Sequence, residues 1–253
     1  MSPDIIYAND IGYWDKAIAA HSQFANSKLI LTILDLPLHL PEDCARQIEQ
    51  VKNAKKQFPN AIFCTISEYC RKTINELCGV DCEVIYQPIK DITDLGIPWR
   101  ERQIEYLIVG RNTDKMKGHY DVTIPCIQQM HGDIEKLHCV GEGFVGAQNY
   151  GNVTNEQLNI IYNNSKYIFC PSKFEGLGLQ MPESIAAGAI PISYHHHPTA
   201  AEFLPKELIF DSVGNIIDFI KTNKTPELSV LSINQFRKEQ IAQNIINAAK
   251  NSN

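Results

Sequence analysis

Short apolar runs alternate with helix-like segments along nearly all of the 253 residues, and this alternation limits the folds open to the chain. The runs are rich in β-branched residues, and the segments between them have the apolar spacing of amphipathic helices. The runs are DIIYA, KLILTIL, AIFCTIS, CEVIY, IEYLIVG, KLHCVG, KYIFCPS and AIPISY. Apolar strands separated by helices are typical of parallel sheets that are covered on both faces. We therefore expect an α/β fold built on parallel sheets.

The glycines divide the chain into two parts. Ten of the 14 lie between Gly110 and Gly188, so tight turns and close backbone approach to a ligand are expected in the second part. The stretch QPIKDITDLGIPWRERQ separates the parts. We predict two Rossmann-like lobes at 1–95 and 96–225 and a C-terminal helix within 226–253. The spacing in INQFRKEQIAQNIINAAK predicts that helix, with Ser232 as its cap.

The charge balance argues against polyanionic partners. Lys and Arg number 23 against 29 Asp and Glu, which gives a formal net charge of −6, so we expect neither nucleic acid nor an anionic membrane as a general partner. We expect neither a signal peptide nor a spanning helix, because the N-terminus lacks the basic and apolar pattern of the first and no apolar run reaches the roughly 18 residues of the second. Several of the eight cysteines lie in apolar runs, which favours buried, reduced thiols and a cytoplasmic location. Cys78 and Cys82 lack a second nearby pair for structural zinc.

A glycine pattern, Gly141-Glu-Gly-Phe-Val-Gly146, follows the predicted strand KLHCV. A dinucleotide-binding fingerprint requires a helix to begin directly after such glycines and to face the pyrophosphate. Here the next residues, AQNYGNVTNE, are polar, and the first clear helix is NEQLNIIYNN. We therefore do not expect a nicotinamide or flavin fold, although a glycine-rich loop could still let a nucleotide base approach the backbone.

The strongest local signal lies in residues 171–192. The strand KYIFC leads into a glycine-rich turn, and a helix is predicted to begin near Leu179. Gly176 and Gly178 would let backbone N–H groups face a ligand at the start of that helix, where an anion is favoured.

Two carboxylates accompany this turn. Glu175 lies in the turn, and Glu183 lies about one turn inside the predicted helix. Ionised carboxylates only accept hydrogen bonds, whereas sugar hydroxyls donate them, so the pair suits a hydroxyl-rich ligand. An ordinary helix start with acidic residues explains the same pattern equally well, and both interpretations stay open at this point.

The segment PSKFEGLGLQMPESIAAGAIP resembles the donor-site signature of the retaining GT-B glycosyltransferases, especially glycosyltransferase family 4. Its surroundings are also similar to that family: IEYLIVGRNTDKMKGHY to the strand and Lys-Gly loop, and KLHCVGEG to the next strand and glycine loop. The resemblance covers most of residues 60–222 and extends weakly to the N-terminus. It implies a GT-B-like fold of two Rossmann-like lobes, here with a shortened N-terminal lobe.

The resemblance also implies roles for matching residues. Arg111 and Lys117 match cations that bind the donor's diphosphate, and they would stabilise the negative charge left on phosphate when the bond to the sugar breaks. Glu175 matches the residue that binds sugar hydroxyls, and Glu183 the one that binds ribose hydroxyls. The positions implied to contact the donor through backbone atoms are Gly110, Gly141, Gly143, Asn152, Val153, Gly176, Leu177, Gly178 and Leu179.

The implied activity is retaining transfer of a sugar, as by a hexosyltransferase, from a nucleotide-diphosphate-sugar donor to a hydroxyl acceptor. It implies no cofactor besides this donor substrate. The chain has no Asp-x-Asp, with which metal-dependent transferases bridge an ion to the diphosphate. We therefore predict no metal site, with Arg111 and Lys117 in place of the ion. Retention would need no side-chain nucleophile if the leaving phosphate itself takes the acceptor's proton.

The N-terminal part departs from the family. Only about 90 residues precede the linker, and Leu34-Asp35-Leu36-Pro37 occupies the place of a frequent histidine. Asp35 is the first candidate for the acceptor side, because it ends an apolar strand where open sheets bind ligands. A turn-forming Asp is as good an explanation. Asn9, Asp10 and His39 are the other candidates.

The short first lobe keeps other functions open. It leaves room for a non-catalytic nucleotide-sugar-binding protein, for a subunit of a two-part transferase, or for a homo-oligomer in which a partner chain completes the lobe. A transferase acting on a nucleic-acid base is disfavoured by the acidic balance. His195–His197 makes a poor metal site, because neighbours on an extended chain point to opposite faces, and we do not assign it a catalytic role.

Overall fold

The computed structural model describes residues 3–222 and 233–251. The strands are β1 (Ile5–Ala8), β2 (Lys28–Ile33), β3 (Ile62–Thr65), β4 (Glu83–Val84), β5 (Ile104–Gly110), β6 (Leu137–Gly141), β7 (Gln148–Gly151), β8 (Ser165–Cys170), β9 (Ile190–Tyr194) and β10 (Ile209–Phe210). The helices are α1 (Trp14–Gln23), α2 (Pro41–Gln57), α3 (Glu68–Cys78), α4 (Thr123–His131), α5 (Asn155–Asn163), α6 (Gln180–Ala186), α7 (Ala200–Phe203), α8 (Val213–Thr222) and α9 (Lys238–Asn251). Short 3₁₀ turns lie at Ile11–Tyr13, Trp99–Glu101, Lys115–Lys117, Lys206–Leu208 and Asn234–Phe236.

The chain forms two compact units. The first unit comprises Met1–Pro88 and Gln235–Asn253, and the second comprises Ile89–Asn234. The boundaries predicted at 95 and 225 stay predictions. The stretch after Ile89 packs on the second unit because α5 holds its backbone: Thr93 N–H donates to Asn159 Oδ1 (3.1 Å), and Leu95 N–H donates to Asn163 Oδ1 (2.7 Å).

The first unit holds a parallel sheet whose described strands follow the chain order β1-β2-β3-β4. The middle strand β2 is buried along almost its whole length, so its side chains meet apolar partners on both faces. On one face, Ile30 and Ile62 form a core with Ile241 and Ala248 of α9. The C-terminal helix that the sequence predicts therefore returns to the first unit. It begins at Lys238, and its predicted cap, Ser232, lies outside the described residues.

The second unit holds a parallel sheet with the order β10-β9-β8-β5-β6-β7 among the described strands. The chain leaves β5 toward β6 and β7, then crosses to the other side of β5 and continues through β8 to β10. This is the doubly wound arrangement, and the order reverses between β5 and β8. The prediction of an α/β fold with parallel sheets is confirmed.

All eight cysteines are buried free thiols, in agreement with their apolar sequence context. Burial raises the pKa of Cys64, Cys82 and Cys126 to about 12, so these thiols stay protonated at neutral pH. Within the part of the chain that the structure describes, no helix is both long and apolar enough to cross a bilayer.

Candidate functional site

The candidate site lies where the strand order of the second sheet reverses. Ligands of open α/β sheets bind in the crevice outside the carboxyl ends of the strands at such a point. Here β5 ends at Gly110 and β8 ends at Cys170. Most of the site residues predicted from the sequence follow these two strands or β6, so the topology places them along one edge of one sheet.

The tips of β5 and β6 approach each other more closely than side chains would allow. Gly110 and Gly141 have φ angles of +118° and +86°, and a Cβ on Gly141 would overlap the Gly110 carbonyl oxygen. That oxygen accepts a hydrogen bond from Glu142 N–H at 3.0 Å. Glycine at both tips therefore keeps backbone, rather than side chains, at the mouth of the crevice.

Asn112 holds the loop after β5 in place, and nothing in the sequence singled it out beyond its position beside Gly110 and Arg111. The residue is fully buried, and its Nδ2 donates to the carbonyls of Val140 (3.1 Å) and Glu142 (2.6 Å). Thr113, the next residue of the loop, donates two hydrogen bonds to the Glu142 carboxylate, one from its N–H and one from its hydroxyl. The Arg111 side chain is exposed and therefore accessible to a ligand. One of its guanidinium nitrogens lies 3.8 Å from a carboxylate oxygen of Asp114.

Lys117 and Glu175 meet at the crevice although 58 residues separate them in sequence. Lys117 Nζ donates to Glu175 Oε2 at 2.5 Å, and the Ser172 hydroxyl donates to the same oxygen at 3.2 Å. Both charged side chains are largely shielded from solvent, with 15% and 21% of their surface exposed. The structure thus brings together two residues that the sequence predicts for one ligand.

Close backbone contact between two loops produces this pairing. The Lys173 N–H donates to the Met116 carbonyl at 2.8 Å. Gly118 has a φ of +75°, and a Cβ there would overlap the Pro171 carbonyl oxygen. Lys117 and Gly118 therefore contribute to the site together. Lys117 supplies the positive charge, and Gly118 allows its loop to approach the backbone of Pro171.

The loop of Gly176, Leu177, Gly178 and Leu179 rests on the turn that follows β9. Thr199 Oγ1 donates to the Leu177 carbonyl at 2.8 Å. Gly178 has a φ of +73°, and a Cβ there would lie 2.9 Å from two ring atoms of His197. Burial, with the nearby Lys117 charge, lowers the pKa of His197 to about 3, so the ring is neutral. The sequence assigns the histidines no catalytic role, and the structure shows that the His197 ring packs against this loop.

The helix after this loop begins at Gln180, as the sequence predicts, but has only seven residues. Glu183 lies in its first turn and is almost completely buried. Its carboxylate accepts a hydrogen bond from the Tyr162 hydroxyl at 2.7 Å. Burial raises the pKa of Glu183, and the Tyr162 hydroxyl and the nearby Lys90 oppose that rise.

The loop that carries Gly141 and Gly143 leads into β7, not into a helix. The structure thus agrees with the exclusion of a dinucleotide fingerprint. A Cβ on Gly143 would overlap Asn149 Oδ1, while Asn149 Nδ2 donates to the carbonyls of Phe144 and Ala147. The predicted contact Val153 is half-buried in the turn between β7 and α5. The backbone contacts to a base that the resemblance implies here stay a prediction.

Asp35 belongs to the first unit, where it follows β2 and is half-buried. Asp10 accepts a hydrogen bond from Gly12 N–H at 2.7 Å, which favours a turn-forming role for this residue. Among the described residues, no cluster of three or more His, Cys, Asp or Glu could hold a metal ion.

A cleft of about 1140 Å³ lies in the first unit. It is lined by Lys28, Ile62 and Glu83, the residues with which β2, β3 and β4 begin. This is the amino edge of the sheet, opposite to the edge where open α/β sheets bind ligands. The switch point of the second unit is therefore the better candidate for the functional site.

Comparison with known proteins identifies the fold. No protein-family model matches the chain, and no curated protein matches its sequence. Among solved structures, HepE of Anabaena in complex with UDP-glucose superimposes with a TM-score of 0.73 at 15% identity, over 98% of this chain and 78% of that one. A glycosyltransferase from Rickettsia africae gives 0.69 at 13% identity, over 98% and 76%.

The pneumococcal O-GlcNAc transferase GtfA, in complex with UDP and GlcNAc, gives a TM-score of 0.65 at 17% identity, over 92% of this chain and 54% of that one. The chain therefore spans about half the length of this transferase. These similarities show that the chain has the two-unit parallel α/β fold of GT-B glycosyltransferases.

Proposed function

We propose that the protein is a glycosyltransferase that binds a nucleotide-diphosphate sugar at the switch point of its second unit and transfers the sugar to a hydroxyl. The observation that carries this proposal is the Lys117–Glu175 contact, which puts a cation and a hydrogen-bond acceptor beside one another at 2.5 Å where the fold binds ligands. The UDP and UDP-glucose complexes of GtfA and HepE support the same ligand class.

The chemistry follows from the charges. Breaking the bond between the sugar and the diphosphate leaves negative charge on phosphate, and a fixed cation stabilises that charge in the transition state. Lys117 is held in place for this task, and the exposed Arg111 would close on the diphosphate when the donor binds. Once Lys117 contacts phosphate, the Glu175 carboxylate can accept hydrogen bonds from the sugar hydroxyls.

The finer proposal is that transfer retains the anomeric configuration and needs no metal ion. The sequence lacks Asp-x-Asp, and Lys117 with Arg111 supplies positive charge at the crevice. The leaving phosphate would accept the proton of the attacking hydroxyl on the same face of the sugar, so that no enzyme nucleophile is needed. Asp35, at the carboxyl end of β2, is the proposed contact on the acceptor side.

Thermal unfolding in the presence of UDP-, GDP-, ADP- and CDP-sugars, with and without EDTA, tests the proposal. A donor at 100 times its Kd should stabilise the fold by about 2.7 kcal/mol, a shift of several degrees. One nucleotide should shift the Tm in EDTA, and Glu183→Ala should abolish the shift. Absence of a shift with every donor would contradict the proposal, and a shift that requires a divalent ion would contradict its metal-independent form.

A second candidate is a donor-binding subunit of a two-part transferase. One of the solved structures with this fold is the GtfA/B complex, at 15% identity over 93% of this chain and 55% of that one. The two functions differ in turnover by the chain alone. A catalytic chain should hydrolyse its donor slowly without acceptor and lose that activity in Arg111→Ala, whereas a binding subunit should show no hydrolysis in either form.

A further inference from the structure

Glu183 is held in an environment that opposes its charge. The side chain is almost completely buried, and an isolated ionised carboxylate in such a place is strongly disfavoured. The Tyr162 hydroxyl, which donates to this carboxylate at 2.7 Å, compensates for part of this cost. A carboxylate offers about four acceptor sites, so the bond from Tyr162 leaves room for ligand hydroxyls.

Tyr162 is suited to hold this carboxylate still. It lies on α5, whose start is fixed by a capping box between its first residues. The residue is fully buried, so its hydroxyl cannot donate to bulk water instead. The preceding turn of α5 also anchors the connecting segment that follows Ile89, because Asn159 Oδ1 accepts a hydrogen bond from Thr93 N–H. The charge of Lys90, in this segment, favours the ionised form of Glu183. Helix α5 thus carries both the hydroxyl that contacts the carboxylate and the amide that holds the connecting segment.

We propose that Tyr162 is a positioning residue of the donor site, whose hydroxyl orients the Glu183 carboxylate and keeps it ionised as the acceptor for the ribose hydroxyls. This inference rests on the proposed function. It explains why a buried carboxylate accompanies a buried tyrosine: the hydroxyl supplies part of the solvation that burial removes, and it fixes the direction of the free oxygen lone pairs.

The groups that face Glu183 set the direction of the expected pH effect. They are Tyr162 from α5, Lys90 from the connecting segment and Cys170 from the end of β8. Burial raises the pKa of Cys170 beyond the physiological range, so this thiol is neutral, and Lys90 supplies the positive charge. Removing the Tyr162 hydroxyl takes away one of the influences that lower the pKa of Glu183, so that pKa should rise further.

The test measures UDP affinity by calorimetry between pH 5 and pH 9 for wild type and Tyr162→Phe, with GDP, ADP and CDP as probes if UDP does not bind. Protonation turns one oxygen of Glu183 into a donor and weakens its acceptance of ribose hydrogen bonds, so affinity should fall on the acid side. In Tyr162→Phe this fall should begin at higher pH, with binding about tenfold weaker than wild type near pH 6 and little changed at pH 9.

Tyr106→Phe is the matched control. Tyr106 is a buried tyrosine on β5 of the same unit that also donates to a carboxylate, Glu105 Oε1, at 2.9 Å. This variant loses a comparable hydrogen bond and should keep the wild-type pH profile. A uniform loss of affinity at every pH in Tyr162→Phe, or an equal shift in Tyr106→Phe, would assign Tyr162 a merely structural role and overturn the inference.

Two further measurements separate the possible failures. If no nucleotide binds wild type, the proposed function fails and the inference falls with it. If wild type binds but Glu183→Gln binds equally well, the donor site survives and the inference alone is wrong. Should Tyr162→Phe not fold, wild type containing 3-fluorotyrosine, a stronger donor, must bind with its acid-side fall at lower pH, and an unmoved fall would overturn the inference.

Discussion

The two sheets of this protein differ in strand order. In the described part of the first unit, the order β1-β2-β3-β4 runs one way, whereas the second unit reverses direction between β5 and β8. Because crossovers between parallel strands are right-handed, a sheet built in one direction keeps its crossover helices on one face, and a reversal opens a crevice between loops that diverge. In the first unit, α9 covers the sheet face opposite the crossover helices. In the second unit, the candidate site lies where the strand order reverses.

The glycines show the same difference. Gly79 in the first unit has a φ of +67° at the end of α3, and a Cβ at this position would meet no atom within 4 Å. Gly118 in the second unit has a similar φ, but its missing side chain makes room for Pro171. The first glycine ends a helix, and the second allows two loops to form a site.

The largest effect is expected for Gly118→Ala. Strain at positive φ of about 1–2 kcal/mol adds to overpacking of about 1–3 kcal/mol against the Pro171 carbonyl. Gly79 also has a positive φ, but open space surrounds the position of its missing Cβ. Gly79→Ala should therefore lose only the roughly 1–2 kcal/mol that comes from backbone strain. Denaturant unfolding of both variants measures the difference, and equal losses would show that the close approach at the switch point is unimportant.

Ile241→Ala tests how the first unit is closed. Ile241 is buried in the core between α9 and β2, so its truncation should lower the free energy of unfolding by about 2–4 kcal/mol. Ile246→Ala on the same helix, where the side chain is exposed, should change stability by less than about 1 kcal/mol. Nucleotide affinity should stay at the wild-type value in both variants, and its loss in Ile241→Ala would argue against separate tasks for the two units.

Lys117→Ala should lower kcat about 100-fold, because the leaving phosphate loses its fixed cation. Lys136→Ala removes another lysine of the second unit that pairs with a glutamate, Glu105, at 3.1 Å on the surface. Its effect on turnover should be negligible. Steady-state kinetics with the donor found by the thermal screen measures both, and equal losses would remove Lys117 from the proposed chemistry.

The smallest effect expected is a pH-dependent gain in stability when the Glu183 charge is removed. Burial raises the pKa of Glu183 above that of the unfolded chain, so ionisation opposes folding above the folded-state value. Glu183→Gln should therefore raise the Tm of the ligand-free protein at pH 8 and lose this advantage at pH 4, below the pKa of the unfolded chain. It should also weaken nucleotide binding.

Glu105 serves as the control, because its hydrogen bonds outweigh the effect of burial on its pKa, whereas at Glu183 burial prevails. Burial alone would raise its pKa, but hydrogen bonds from Lys136 and Tyr106 lower it below the ordinary value. Glu105→Gln should therefore lower the Tm at pH 7, and this loss should fade as the pH falls through the folded-state pKa. Thermal unfolding of both variants from about pH 2 to pH 8 decides whether the two carboxylates differ in this way.

Much of the fold and part of the site could be predicted from local sequence. The run KYIFC, the turn with Gly176 and Gly178, and the helix start near Leu179 appear where the pattern predicts them. The polar residues after Gly146 correctly indicated that no helix follows directly. The supporting residues Asn112, Tyr162 and His197 carried no such signal, because the partners through which they act lie far away in the chain. A single sequence does not reveal those partners.

The sequence by itself determined the elements, because periodicity and turn residues report which side of a segment is buried and where it must end. The sequence also places glycine at positions 118 and 141, where two backbone segments approach closely. Only the tertiary structure decided that the strand order reverses at β5, that α9 returns to the first unit, and that Lys117 meets Glu175. These arrangements depend on hydrogen bonds and packing between segments far apart in the chain, and local residue spacing carries no record of them.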